Sequence, residues 1–169
     1  MATVQFKSPS PFIGREERIH DPSDVKYGKF LEKTSASFSS NSTVTFALFG
    51  VGRAGNIHLR NLIASSNVLL KYIVDSDQTK WDQIRSICGA DCEIKHPDNI
   101  SDILSDESLE ACVICTPTFT HKDLIIQCLN AGKAVFSEKP IGENPDDTKE
   151  CYLLADKVKR PLFCGFQRR

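Results

Sequence analysis

Val44-Thr-Phe-Ala-Leu-Phe-Gly50-Val-Gly52-Arg-Ala-Gly55-Asn-Ile-His-Leu-Arg-Asn-Leu-Ile63 decides the fold. A short apolar run passes into three glycines spaced G-x-G-x-x-G, and a helix-compatible segment follows without interruption. Gly50 suits the tight strand-to-helix turn, Gly52 lets a pyrophosphate approach the backbone, and Gly55 lets helix and strand pack closely. The free amides and positive dipole end of the helix then face the phosphates, which makes Gly50, Val51, Gly52, Arg53, Ala54 and Gly55 candidate cofactor contacts. A bare G-x-G-x-x-G is weak; its place between a strand and a helix gives it weight.

Working outward, the same alternation repeats. Strands are expected at Val44 to Phe49, Leu69 to Val74, Cys92 to Lys95, Ala111 to Cys115, Ala134 to Ser137 and Leu162 to Phe166. Helices are expected from about Gly55 to Ser65, Lys80 to Cys88, Ile100 to Leu104, Thr120 to Ala131 and Asp146 to Lys159. Two βαβαβ halves joined by right-handed crossovers give an α/β fold, a doubly wound parallel Rossmann sheet of order 3-2-1-4-5-6. Ligands of such a sheet sit where the carboxyl ends of the first and fourth strands diverge.

Residues 1–42 are polar, punctuated by Pro and Gly, and end in Ser35-Ala-Ser-Phe-Ser-Ser-Asn-Ser42; they read as a disordered or linker-like extension before a domain spanning 43–169. Phe12, Ile13 and the patch from Tyr27 to Leu31 offer a docking alternative to a solvated tail.

The 169 residues are 40% hydrophobic and 25% charged, with a net charge of -1. No global positive field is there to draw nucleic acid or an anionic membrane surface. No apolar run approaches the roughly 18 residues of a spanning helix, and the first residues lack the apolar stretch of a secretory signal, so a cytoplasmic protein is expected. Seven cysteines fit the same picture as reduced thiols. Cys112 and Cys115 form a C-x-x-C, but on a strand positions three apart face opposite sides, so no metal site is expected there.

Asp75 ends the second strand 20 residues past Gly55, close to the spacing at which an acid accepts hydrogen bonds from the adenosine ribose. A ribose 2'-phosphate would meet like charge there, which favours NAD over NADP. The competing reading is a strand-end turn residue, with Asp77 near enough to share the role. After the fourth strand, Thr116-Pro-Thr-Phe-Thr-His121 lies at the ligand edge. Thr116 and Pro117 would wall the nucleotide, and Thr118 or Thr120 is expected to cap the next helix. His121 is open between a cofactor contact and a surface histidine. The fifth strand ends in Glu138-Lys139-Pro140. An ammonium there can donate to a substrate alcohol or ketone oxygen. Glu138 can pair with it or bond a ribose hydroxyl, and a salt-bridged surface turn is the plain alternative.

Taken together, Gly50-Val-Gly-Arg-Ala-Gly55, Cys115-Thr-Pro-Thr118 with His121, Glu138-Lys-Pro140 and Gly165-Phe-Gln-Arg-Arg169 resemble the Gfo/Idh/MocA oxidoreductases, especially their myo-inositol 2-dehydrogenase-like branch. The resemblance covers about Val44 to Arg169. It implies NAD(P)-dependent hydride transfer on a sugar, polyol or related ring alcohol, with Lys139 matching the family's catalytic lysine. The family pairs that lysine with an aspartate and a histidine from a second α/β domain, which also supplies the sheet used for oligomerisation. Arg168 and Arg169 match the crossing into that domain, and the sequence stops before it. The resemblance therefore implies a chain that holds NAD yet turns over negligibly by itself. Two other classes compete: a non-catalytic dinucleotide-binding or partner-docking module, and a SAM-dependent methyltransferase, against which Glu138-Lys139-Pro140 argues.

Overall fold

The computed structural model describes residues 43–166. The expectations for residues 1–42 and for Arg168 and Arg169 lie outside them. Six strands form one sheet: β1 (Val44–Phe49), β2 (Val68–Val74), β3 (Glu93–Lys95), β4 (Ala111–Ile114), β5 (Ala134–Glu138) and β6 (Leu162–Gly165). Their order is β3-β2-β1-β4-β5-β6. Every neighbouring pair is parallel. This is the doubly wound order anticipated from the alternating pattern, with β1 and β4 adjacent at its centre.

Five α-helices join the strands: α1 (Arg53–Ala64), α2 (Trp81–Cys88), α3 (Ile100–Ser105), α4 (His121–Asn130) and α5 (Pro145–Val158). The central strands β1 and β4 are apolar apart from Thr45 because both sheet faces are covered. One face packs Phe49, Ile114, Leu124, Ile125 and Leu129. The other packs Leu48, Leu59, Ile73, Ile84 and Val113. Leu48, Phe49, Ile73 and Ile114 are fully buried, each stabilising the domain by about 1.5–3 kcal/mol. Cys112 belongs to the first face and Cys115 to the second, as strand alternation requires. All seven cysteines are free thiols.

The element ends differ from expectation where turn chemistry intervenes. α1 starts at Arg53 rather than Gly55, because Gly52 takes the N-cap position with extended backbone. α5 starts at Pro145, where Asn144 caps it by accepting from the Asp147 amide at 2.9 Å. Of the two expected caps, Thr120 takes the N-cap position of α4, but its side chain makes no capping hydrogen bond. Residues Thr118–Thr120 form a 3-10 turn, and the Thr120 hydroxyl donates to the Pro117 carbonyl at 2.8 Å instead. Among the described residues, no helix is long and apolar enough to cross a membrane.

Candidate functional site

The carboxyl ends of β1 and β4 open into a cleft of about 830 Å³. Gly50, Gly52, Asp75, Thr116 and Pro117 line it, with Pro97, Ile100 and Leu124 supplying apolar wall. Five of the candidate contacts thus meet in one crevice. Val51, Gly52 and Arg53 border a smaller cavity of about 280 Å³ between α1 and α2. Lys80 lines both cavities.

The three glycines answer to three separate constraints. Gly50 has φ +85, and a Cβ there would lie 2.9 Å from the Cys115 carbonyl oxygen. A Cβ on Gly55 would collide with the backbone carbonyl oxygen of Gly50, so the helix can approach the turn only because Gly55 has no side chain. A Cβ on Gly52 would meet nothing within 4 Å. That open space lies at the N-terminus of α1, whose first turn holds no acidic side chain and whose cap makes no side-chain hydrogen bond. Amides of a first helical turn lack intrahelical partners, so the turn suits a pyrophosphate. The residues present fit a dinucleotide.

Asp75 is buried at 8% exposure, and its carboxylate spans two loops. Oδ2 accepts from the Val51 amide at 2.7 Å and Oδ1 from the Asp77 amide at 2.8 Å. The side chain therefore tethers the glycine turn as well as facing the cleft, a role that spacing does not reveal. Each oxygen keeps a lone pair for a ribose hydroxyl. Asp77 lines the same cleft, its carboxylate accepting from the Thr79 amide and hydroxyl and pairing with Lys80 at 2.9 Å. These bonds, the hydroxyl first, hold its carboxyl below the usual value.

His121 is not a surface histidine, which corrects that reading. It is 1% exposed. Nδ1 lies 2.6 Å from the Pro140 carbonyl oxygen and Nε2 2.8 Å from that of Thr116. The reason is local: the 3-10 turn delays α4, and its first residue points inward beneath the cleft floor.

Glu138 and Lys139 part company as well. Among the described residues, Glu138 does not pair with the Lys139 ammonium. Its Oε1 lies 2.8 Å from His58 Nε2, and the His58 ring packs on Phe136 with centroids 5.1 Å apart. Lys139 is exposed just past the end of β5, and the Lys139–Pro140 peptide bond is cis. Gly165 on β6 closes the far side, since a Cβ there would lie 3.0 Å from the Phe136 ring and 3.4 Å from the Glu138 carboxylate. Burial, then the Glu138 charge, pushes the Cys115 thiol up to about 12. His58 was not among the candidates. Its signal was its offset from Gly55, since residues three apart on a helix share a face.

A sequence profile described as "Oxidoreductase family, NAD-binding Rossmann fold" matches residues 44–166. The chain belongs to the Gfo/Idh/MocA oxidoreductase family. Among relatives in this family, inositol 2-dehydrogenase of Rhizobium meliloti is 35% identical over 127 residues, covering 75% of this chain and 37% of the relative. Myo-inositol 2-dehydrogenase of Thermotoga maritima is 32% identical over 122 residues, 72% of this chain and 36% of the relative. A crystal structure of scyllo-inositol dehydrogenase from Lactobacillus casei, with bound NAD(H) and scyllo-inositol, superimposes with a TM-score of 0.66 at 26% identity. It is matched over 74% of this chain and 36% of that one. The chain thus spans 36 to 37% of the length of these Gfo/Idh/MocA relatives, and the match falls on the NAD-binding Rossmann domain.

Proposed function

We propose that residues 43–169 are the cofactor-holding domain of an oxidoreductase acting on a polyol or sugar alcohol of inositol-like chemistry, in the cytoplasm. One observation carries the reading: exposed Lys139 stands at the carboxyl end of β5, beside the strand whose end loop lines the glycine-turn cleft. Similarity to inositol dehydrogenases supports the substrate class. NAD bound in the cleft supplies the hydride-carrying nicotinamide. The glycine turn receives the pyrophosphate, and Asp75 accepts from the adenosine ribose and disfavours a 2'-phosphate. Thr116, Pro117 and Thr118 would wall the nicotinamide half, and Glu138 would serve the same end of the cofactor. Lys139 would hydrogen-bond the substrate oxygen, its neutral amine taking the hydroxyl proton when the alcohol is oxidised and its ammonium returning that proton to the carbonyl oxygen in the reverse direction.

The described domain by itself would hold cofactor with negligible turnover, because among the described residues Lys139 stands exposed to water. The single tryptophan provides the test. Trp81 Nε1 donates to the Asp75 carbonyl at 3.2 Å, so its emission reports on the cleft. NADH is expected to quench it by energy transfer, more tightly than NADPH, and Lys139→Ala should leave that affinity nearly unchanged. An unquenched Trp81 at saturating NADH removes the reading in favour of a docking module. Robust polyol-dependent NADH production by the isolated chain removes the claim of inactivity.

A further inference from the structure

Lys139 stands between two residues that are each held by a histidine, and the two histidines come from different helices. On its N-terminal side, His58 of α1 holds the Glu138 carboxylate at 2.8 Å. On its C-terminal side, His121 of α4 holds the Pro140 carbonyl at 2.6 Å. The sheet cannot do this itself. Glu138 pairs with Gly165 in the last rung of β5, and Pro140 has no amide to donate. Ser137, fully buried, backs the arrangement by donating to the Glu138 carbonyl at 3.0 Å.

Each histidine also reaches the cofactor side of the molecule. His58 rides on the helix whose first turn faces the pyrophosphate position. The other ring nitrogen of His121 lies 2.8 Å from the carbonyl oxygen of Thr116, which lines the cleft; a neutral ring has a single N–H, which joins one of the two carbonyls at a time. A lysine has a long flexible stem, so its ammonium is placed only as well as its backbone is anchored, and displacement by about 1 Å costs orders of magnitude in rate.

We propose that His58 and His121 are positioning residues for Lys139. They fasten the residues on either side of it to the two walls of the dinucleotide cleft, so that cofactor binding alters the surroundings of the ammonium. This rests on the reading of the cleft and Lys139 given above.

The test uses the 169-residue chain labelled with 13C at lysine Cε, the Lys139 resonance being assigned by its loss in Lys139→Arg. In the wild type, saturating NADH shifts this resonance. His58→Leu, at a partly exposed position and with its folding checked by thermal melting, keeps NADH affinity within about threefold but loses most of the shift. His58→Gln, which retains a donor toward Glu138, recovers it. At the buried site, His121→Asn retains a donor toward Pro140 and keeps more of the shift than His121→Leu. An undiminished shift in His58→Leu with NADH bound overturns the proposal while leaving the cofactor reading intact. NADH binding without any Lys139 shift in the wild type removes Lys139 from the cofactor end, and the proposal with it. Absence of NADH binding in the wild type instead removes the cofactor reading on which both rest.

Discussion

The carboxylate of Asp75 accepts the amide of Val51 at 2.7 Å, tying the end of β2 to the middle of the glycine turn across 24 residues of sequence. A single acid thereby shapes the pyrophosphate turn and faces the ribose position. Removing it should damage both. Asp75→Ala is expected to weaken NADH binding by tenfold or more, to erase the preference over NADPH, and to cost about 1.5–3 kcal/mol of stability for the lost charged hydrogen bond. Calorimetric titration with each cofactor and denaturant unfolding read the two effects apart. Undiminished NADH selectivity in the variant would place the ribose elsewhere.

Gly52 and Gly55 make opposite demands, although they belong to one motif. Gly52 faces open space, whereas a Cβ on Gly55 would run into the Gly50 carbonyl. Gly52→Ala should therefore fold with a stability change below about 1 kcal/mol and lose NADH affinity at least tenfold as the methyl fills the pyrophosphate approach. Gly55→Ala should lose about 2 kcal/mol or more, because a backbone oxygen cannot swing aside as a side chain can. Thermal melts with parallel NADH titrations would show the separation. Equal destabilisation by both would contradict it.

What was legible in the sequence was what local pattern carries. The apolar runs, the glycine spacing and the handedness of crossovers suffice for the strand order and for gathering Gly50, Asp75 and Thr116 at one edge. Partnerships across long sequence distance were not legible. Nothing near Glu138 announces that its partner is His58, 80 residues earlier, instead of the adjacent Lys139. The burial of His121 was missed for a similar reason. Its ring nitrogens lie against the carbonyl oxygens of Pro140 and Thr116, backbone partners that side-chain identity does not encode. Asp75 hid its second role because it bonds a backbone amide, which side-chain identity does not encode.

The opposite edge of the sheet carries a charge network with a pH signature. Asp106 Oδ2 lies 2.6 Å from the Lys71 ammonium and accepts the Tyr72 hydroxyl at 2.9 Å, while Oδ1 accepts the Ser108 amide and hydroxyl. Lys71 first, then Ser108, holds the Asp106 carboxyl well below the usual carboxylate range. A depressed folded value means that the contribution to stability is complete above the unfolded value of about 3.9 and is lost as pH falls below it toward the folded value. Asp106→Asn should lower Tm by several degrees at pH 7, with the gap from wild type closing as pH drops below about 4. A gap that stays constant from pH 7 to pH 2.5 would mean that the carboxylate charge contributes nothing.

Cys115 sits where the two halves of the site meet, between the Gly55 helix and Glu138, and its chemistry reports whether the end of β4 stays closed. Burial first, and the Glu138 carboxylate second, push its thiol up to about 12. Only the thiolate alkylates, so at pH 8 roughly one molecule in ten thousand is reactive there. Burial pushes Cys151 up as well, to about 11. Iodoacetamide at pH 8 should therefore leave both unmodified in the folded chain and label them as the domain unfolds in denaturant, with mass spectrometry following each peptide. Because burial outweighs the neighbouring charge, Glu138→Gln should lower the resistance of Cys115 only slightly. Rapid native-state labelling of Cys115 would require the β4 end to open on its own, and the cleft floor built from Cys115 and Thr116 would then be a transient surface rather than a preformed one.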